Sequence, residues 1–146
     1  MTARADFQIL LVEDDPADAY LAKTAIRDSK VVSDVHHVSN GDQALDFLYA
    51  RGAFAAAPRP DLVLLDLNMP GRNGRQVLAE MKGDPALKEI PVVILTTSDA
   101  VSDIRDCYGA GANSFVTKPV DLDGFLAAMR SIEDYWFAVV RLPSKA

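Results

Sequence analysis

Four apolar runs in this chain stop at residues able to handle charge. Ile9 to Val12 stops at Glu13, Asp14 and Asp15, Leu62 to Leu65 at Asp66, Val92 to Leu95 at Thr96 and Thr97, and Phe115 to Val116 at Thr117 and Lys118. Carboxylates gathered at one place repel and raise one another's pKa unless a cation lies among them. A hard divalent ion resolves that repulsion. Mg2+ takes oxygen ligands, keeps several waters and carries phosphate oxygens in its remaining positions. In that setting Asp66 is the residue to attack phosphorus as a carboxylate nucleophile and form an aspartyl phosphate. Lys118 then neutralises the equatorial oxygens while Thr96 donates a hydrogen bond. The chemistry expected is acceptance of a phosphoryl group.

The elements that must bring these residues together are legible in the same runs. Because the first three runs are apolar throughout and do not alternate, they mark strands covered on both faces, and the weaker run Val35 to Val38 with the short Phe115 to Val116 brings the count to five. Helical signals lie between them. Asp15 and Pro16 open a first helix over Pro16 to Ser29, Asn40 a second carrying Leu45 and Leu48, and Asn73 a third carrying Val77, Leu78 and Met81. Ile104, Cys107 and Tyr108 mark a short fourth. Asp121 opens a fifth, in which Phe125, Leu126, Met129, Ile132 and Trp136 recur at intervals of three and four as far as about Val139. Five strands alternating with five helices predict an α/β fold, a doubly wound (βα)5 parallel sheet with helices on both faces. Ligands of such sheets bind beyond the carboxyl ends of the strands, where the polar ends listed above would converge.

The chain has 146 residues, 49% of them apolar and 25% charged, which suits a single domain over 1–146 with its core at about 7–130 and a long last helix at about 121–140. The few residues beyond that helix leave no room for an output domain. No window approaches the roughly 20 apolar residues of a membrane span, and Met1 to Asp6 lack a signal-peptide pattern. The lone Cys107 excludes an internal disulfide and suits a reducing compartment, so a cytoplasmic protein is expected. A formal charge of −6 disfavours nucleic acid and anionic membranes, both of which need clustered Lys and Arg.

Val-Glu-Asp-Asp at 12–15, Leu-Leu-Asp-Leu-Asn-Met-Pro-Gly at 64–71, Leu-Thr-Thr at 95–97 and Thr-Lys-Pro at 117–119 together resemble the receiver domain of two-component response regulators. The resemblance runs from about Ile9 to Met129. It implies a flavodoxin-like sheet in the order 2-1-3-4-5, with Glu13 and Asp14 as the acidic metal pair, Asp66 as phosphoacceptor and the carbonyl of Asn68 as a further Mg2+ ligand. Thr96 takes the switch-hydroxyl role, Phe115 the aromatic switch position and Lys118 the phosphate contact. The phosphodonor is then a histidine on a sensor kinase, and the domain also speeds its own dephosphorylation. Lys118-Pro119 matches a peptide bond that is usually cis in the family. Glu13 departs from the more usual Asp, keeping the charge but lengthening the reach. The stretch Arg51 to Pro60, the run Thr96-Thr97-Ser98 and the long last helix further resemble the small regulators that partner phytochrome-type histidine kinases. That resemblance implies a homodimer through helix four, strand five and helix five, with Tyr135, Trp136, Val139 and Val140 at the interface.

Other readings of the same residues are weaker. Asp15, followed by Pro16, suits a helix cap better than a third metal ligand. Thr97 would exchange roles with Thr96 if the strand register slipped by one. His36 and His37 are adjacent in a strand and point to opposite faces, which does not make a metal pair. Phe115 also suits plain core. A phosphatase using an Asp nucleophile needs a second Asp two residues on, where this chain has Asn68. A flavin-binding loop needs hydroxyls and amides where this chain has Glu-Asp-Asp. A scaffold without phosphoryl chemistry would not need the acid, Thr and Lys set.

Overall fold

The computed structural model describes residues 7–28, 32–69, 71–139 and 142–143, with the side chains of 137–139 left aside. Five parallel strands, β1 (Phe7–Val12), β2 (Ser33–Val38), β3 (Leu62–Leu65), β4 (Val92–Thr96) and β5 (Ser114–Thr117), form one sheet in the order β2-β1-β3-β4-β5. The helices are α1 (Pro16–Arg27), α2 (Gly41–Leu48), α3 (Gly74–Gly83), α4 (Val101–Gly109) and α5 (Leu122–Glu133).

Alternate residues of the central strands feed two cores, as the two-residue period of a strand requires. Leu10, Val12, Val63, Leu65, Val92 and Ile94 pack with Leu45 and Phe47 of α2, Val77, Leu78 and Met81 of α3, and Cys107 of α4. Ile9, Leu11, Leu62, Leu64, Val93 and Leu95 pack with Ala19, Ala22 and Ile26 of α1 and Phe125, Met129 and Ile132 of α5. Leu62, Val63, Leu64 and Leu65 are all at most 1% exposed, so each contributes about 1.5–3 kcal/mol by leaving water. This explains why the run lacks polar residues on either face.

The helix starts follow the expected caps. Asp15 accepts from the amides of Ala17 and Asp18, Asn40 from that of Gln43, and Asn73 forms a reciprocal capping box with Gln76. Asp121 occupies the cap position of α5 without a side-chain hydrogen bond.

Two expected helix ends need adjustment. The first helix ends at Arg27, capped by Asp28, and Ser29 lies outside the described residues. The last helix reaches the expected length, but it is α-helical only to Glu133 and continues as a π-helix over Asp134–Val139. The stretch Arg51 to Pro60 contains a short 3-10 turn, Gly52–Phe54, whose Phe54 packs on the core. The isomer of Lys118-Pro119, which the sequence leaves open, is trans, as is every peptide bond among the described residues. Of the expected interface residues, Val140 lies outside the described residues, as does Pro70 of the second motif.

Candidate functional site

The strand ends place the sequence-predicted residues at one rim. Glu13 follows β1, and its amide donates to Val38 O at 3.1 Å; Asp66 follows β3, and its amide donates to Val12 O at 3.0 Å. Lys118 follows β5, and its amide donates to Thr96 O at 2.6 Å. Each backbone is thus fixed by the neighbouring strand. Asp66 is 8% exposed, Glu13 3% and Lys118 7%, so three ionisable groups meet in a small, nearly dry space.

The charges are arranged around the lysine. Lys118 Nζ donates to Glu13 Oε1, lies 3.0 Å from Asp18 Oδ2 and sits 3.7 Å from Asp66 Oδ2. Burial alone would lower the Lys118 pKa, but the Glu13 contact, and then those with Asp18 and Asp66, turn the net shift upward. Glu13 is pushed up to about 8, chiefly by burial and then by the neighbouring Asp66 carboxyl, with Lys118 opposing both.

One carboxylate oxygen each from Glu13, Asp14 and Asp66 lie within 4.8 Å of one another. Glu13 Oε2 is buried without a hydrogen-bond partner, and a buried carboxylate oxygen in that condition is costly. An all-oxygen donor set with an orphaned acceptor fits a hard divalent cation. Asn68 is exposed beside it, and its amide donates to Asp66 Oδ1 at 3.3 Å.

Thr96 is fully buried at the end of β4 and pairs in register with Thr117, whereas Thr97 is exposed. The register therefore assigns the inward hydroxyl to Thr96. Its Oγ1 accepts from the Ser98 amide at 3.4 Å, and Ser98 Oγ donates to Asp103 Oδ2 at 2.6 Å, which also pairs with Arg75 of α3. Phe115 is half-buried against the core beneath α4. Asp15 serves as the cap and not as a member of the acidic cluster. His36 and His37 face different partners: His36 Nε2 meets Gln8 Oε1 and His37 Nε2 meets Glu13 O, each at 2.8 Å.

Asp18 was not singled out in the sequence, because an acid in the first turn of a helix reads as favourable dipole placement. Its position three residues after a capping Asp at the strand-one rim is the signal that would have found it. Among the residues expected at an interface, Tyr135 is 53% exposed, while Trp136, at 7%, is packed in the α1–α5 core with Leu142.

The response regulator receiver domain family matches residues 9–130. Response regulator Rcp1 of Synechocystis sp. is 40% identical over 136 residues, 93% of this chain and 92% of that protein. The solved Mn(2+)-bound form of Rcp1 superposes with a TM-score of 0.90, covering 94% of this chain and 99% of that one. The phosphorylated cyanobacterial phytochrome response regulator RcpA is 42% identical, with a TM-score of 0.91 and coverage of 97% and 99%. RPA3017, a response regulator in red light signaling of R. palustris, is 33% identical, with a TM-score of 0.85 and coverage of 93% and 97%.

Proposed function

This chain belongs to the response regulator receiver domains of two-component systems, and we propose that within that family it takes its phosphoryl group on Asp66 from a phytochrome-type sensor histidine kinase. The observation that carries the Asp66 assignment is its position as the buried carboxylate shared by the acidic cluster and the Lys118 ammonium, 3.7 Å away.

An Asp66 oxygen attacks the phosphorus of the kinase phosphohistidine. An O–P bond forms as the P–N bond breaks, and the electron pair leaves on the imidazole nitrogen, which takes a proton from solvent. Lys118 holds positive charge next to the incoming oxygens in a low-dielectric space, where it acts far more strongly than in water. Thr96, buried at the neighbouring strand end, offers a hydroxyl to the same oxygens. Glu13, Asp14, Asp66 and the Asn68 carbonyl would hold Mg2+, which supplies further neutralisation of phosphoryl charge. Autodephosphorylation reverses the loading: water attacks phosphorus, the acyl O–P bond breaks, and the Asp66 carboxylate and inorganic phosphate remain.

The phytochrome link rests on similarity to RcpA and RPA3017 over more than nine-tenths of the chain. A homodimer through α4, β5 and α5 completes the reading. Five of the seven large apolar side chains left exposed among the described residues, Val101, Tyr108, Val120, Leu122 and Tyr135, lie in this part of the chain. No helix among the described residues is long and apolar enough to cross a membrane.

The test of the reading is phosphoryl labelling. With Mg2+ and either acetyl phosphate or a phosphorylated phytochrome-type kinase, the wild-type chain should acquire an acid-labile label and Asp66→Asn none. Undiminished labelling of the folded variant would overturn the assignment, and transfer from unrelated kinases at equal rates would remove the phytochrome link.

A further inference from the structure

An ammonium group has three N–H donors, and in this protein two are committed before any phosphoryl group arrives. Glu13 Oε1 takes one and Asp18 Oδ2, at 3.0 Å, the other, while Asp66 Oδ2 at 3.7 Å is outside hydrogen-bond reach. The two partners are unequal. The Glu13 side chain is 4% exposed, so returning it to water would mean opening the buried cluster. The Asp18 side chain is 32% exposed and stands on the first turn of α1, where its own amide is held by Asp15 Oδ1 at 3.2 Å. Asp18 can return its charge to solvent with its backbone undisturbed.

Resting on the reading of Asp66 as phosphoacceptor, we propose that Asp18 is a positioning residue that competes with the phosphoryl group for Lys118. In the unphosphorylated protein it draws the ammonium toward α1 and away from Asp66. On phosphorylation the exchange that frees Lys118 is release of Asp18 to water, while Glu13 stays within the buried cluster. Loading the site therefore carries the added cost of breaking the Lys118–Asp18 ion pair, and removing the charge on Asp18 favours the loaded state.

The experiment is titration of the full-length protein with beryllofluoride in saturating Mg2+, followed by calorimetry and by 19F resonance. Asp18→Asn keeps the shape and removes the charge, and it should bind beryllofluoride about fivefold more tightly, the scale of a part-exposed ion pair. Asp18→Glu, which restores the charge, should return the affinity to near wild type. Asp15→Asn removes an equal charge from the same helix end while remaining a good cap, and it should change nothing, because Asp15 does not touch Lys118. Unchanged or weaker binding by Asp18→Asn, or equal tightening by Asp15→Asn, would overturn the proposal while leaving the phosphoacceptor reading intact. Failure of the wild-type protein to bind beryllofluoride at all would defeat both.

Discussion

A Cβ built on Gly74 would lie 2.0 Å from the carbonyl oxygen of Asp66. The first residue of α3 thus sits directly on the backbone that carries the proposed phosphoacceptor, and the Gly74 amide donates to Leu67 O at 3.0 Å to hold it there. The glycine is required by close approach, since its φ is not positive.

Gly74→Ala should therefore force the Asp66–Leu67 peptide to move, costing about 1–3 kcal/mol and slowing phosphoryl labelling in whatever fraction remains folded. Gly83→Ala, at the other end of α3 with nothing within 4 Å of the added methyl, is the control and should be near neutral. Urea unfolding of both variants checks this. Equal stability for the two would contradict the packing argument.

Glu13 makes metal binding depend on pH. Its folded-state pKa of about 8 lies above the ordinary 4.5, so the folded metal-free chain binds a proton there that the unfolded chain gives up. The sign follows: stability of the metal-free protein falls as pH rises from about 4.5 through about 8, because the folded state is the one that must release the proton. A bound cation needs the carboxylate and displaces that proton. Mg2+ affinity should then rise with pH by up to about tenfold per unit and level off above about pH 8. Calorimetry in two buffers of different ionisation enthalpy should detect the released proton. A pH-independent affinity from about pH 6 to about pH 8 would rule this out.

How much of this was legible beforehand follows from the range over which each signal acts. β3 appears at its expected bounds, Leu62–Leu65, because a strand covered on both faces needs every residue apolar. The Asp15, Asn40 and Asn73 caps are local side-chain-to-backbone bonds within three residues, so they too were visible in the sequence. β2 began two residues earlier than expected, at Ser33 and Asp34, because an edge strand need not be apolar. The change to a π-helix at Asp134 was invisible to a 3.6-residue period. Leu142, 1% exposed in the same core as Trp136, carried no periodic signal at all. Within the site, Glu13, Asp66 and Lys118 were found because each ends a strand. Asp18 was not, since its role depends on a lysine contributed by the far end of the chain.

Thr96→Ala separates phosphorylation from its consequence. The hydroxyl is fully buried and receives the Ser98 amide, and Ser98 in turn ties the loop after β4 to Asp103 and so to Arg75. Losing it should cost about 1 kcal/mol of stability and leave Asp66, Glu13 and Lys118 in place. The variant should accept phosphate yet lose the coupled change in α4, β5 and α5. Amide exchange over residues 102–130 reads this directly. Equal exchange shifts on phosphorylation of wild type and variant would disprove it.

The last prediction concerns the α4–β5–α5 face. A chain ended at Ser131 cannot test dimerisation, because it removes Trp136 and Leu142, both buried in the α1–α5 core, and is expected to unfold. Surface variants avoid that difficulty. Leu122 and Tyr135 are each 53% exposed, and neither belongs to a core cluster. Tyr135 stands edge-on to the Trp136 ring at 5.5 Å, so it extends the buried aromatic surface outward instead of filling it. Covering such side chains contributes about 1.5–3 kcal/mol each, against an association cost of about 4–15 kcal/mol. Several of the five exposed apolar residues must therefore be covered together, and loss of two should tip the balance. Leu122→Ser combined with Tyr135→Ser should leave unfolding by urea within about 0.5 kcal/mol of wild type, as for other surface substitutions. It should convert a dimer at tens of micromolar to a monomer by light scattering. A wild-type protein that is already monomeric at that concentration, or a double variant that remains dimeric, would exclude this face as the interface.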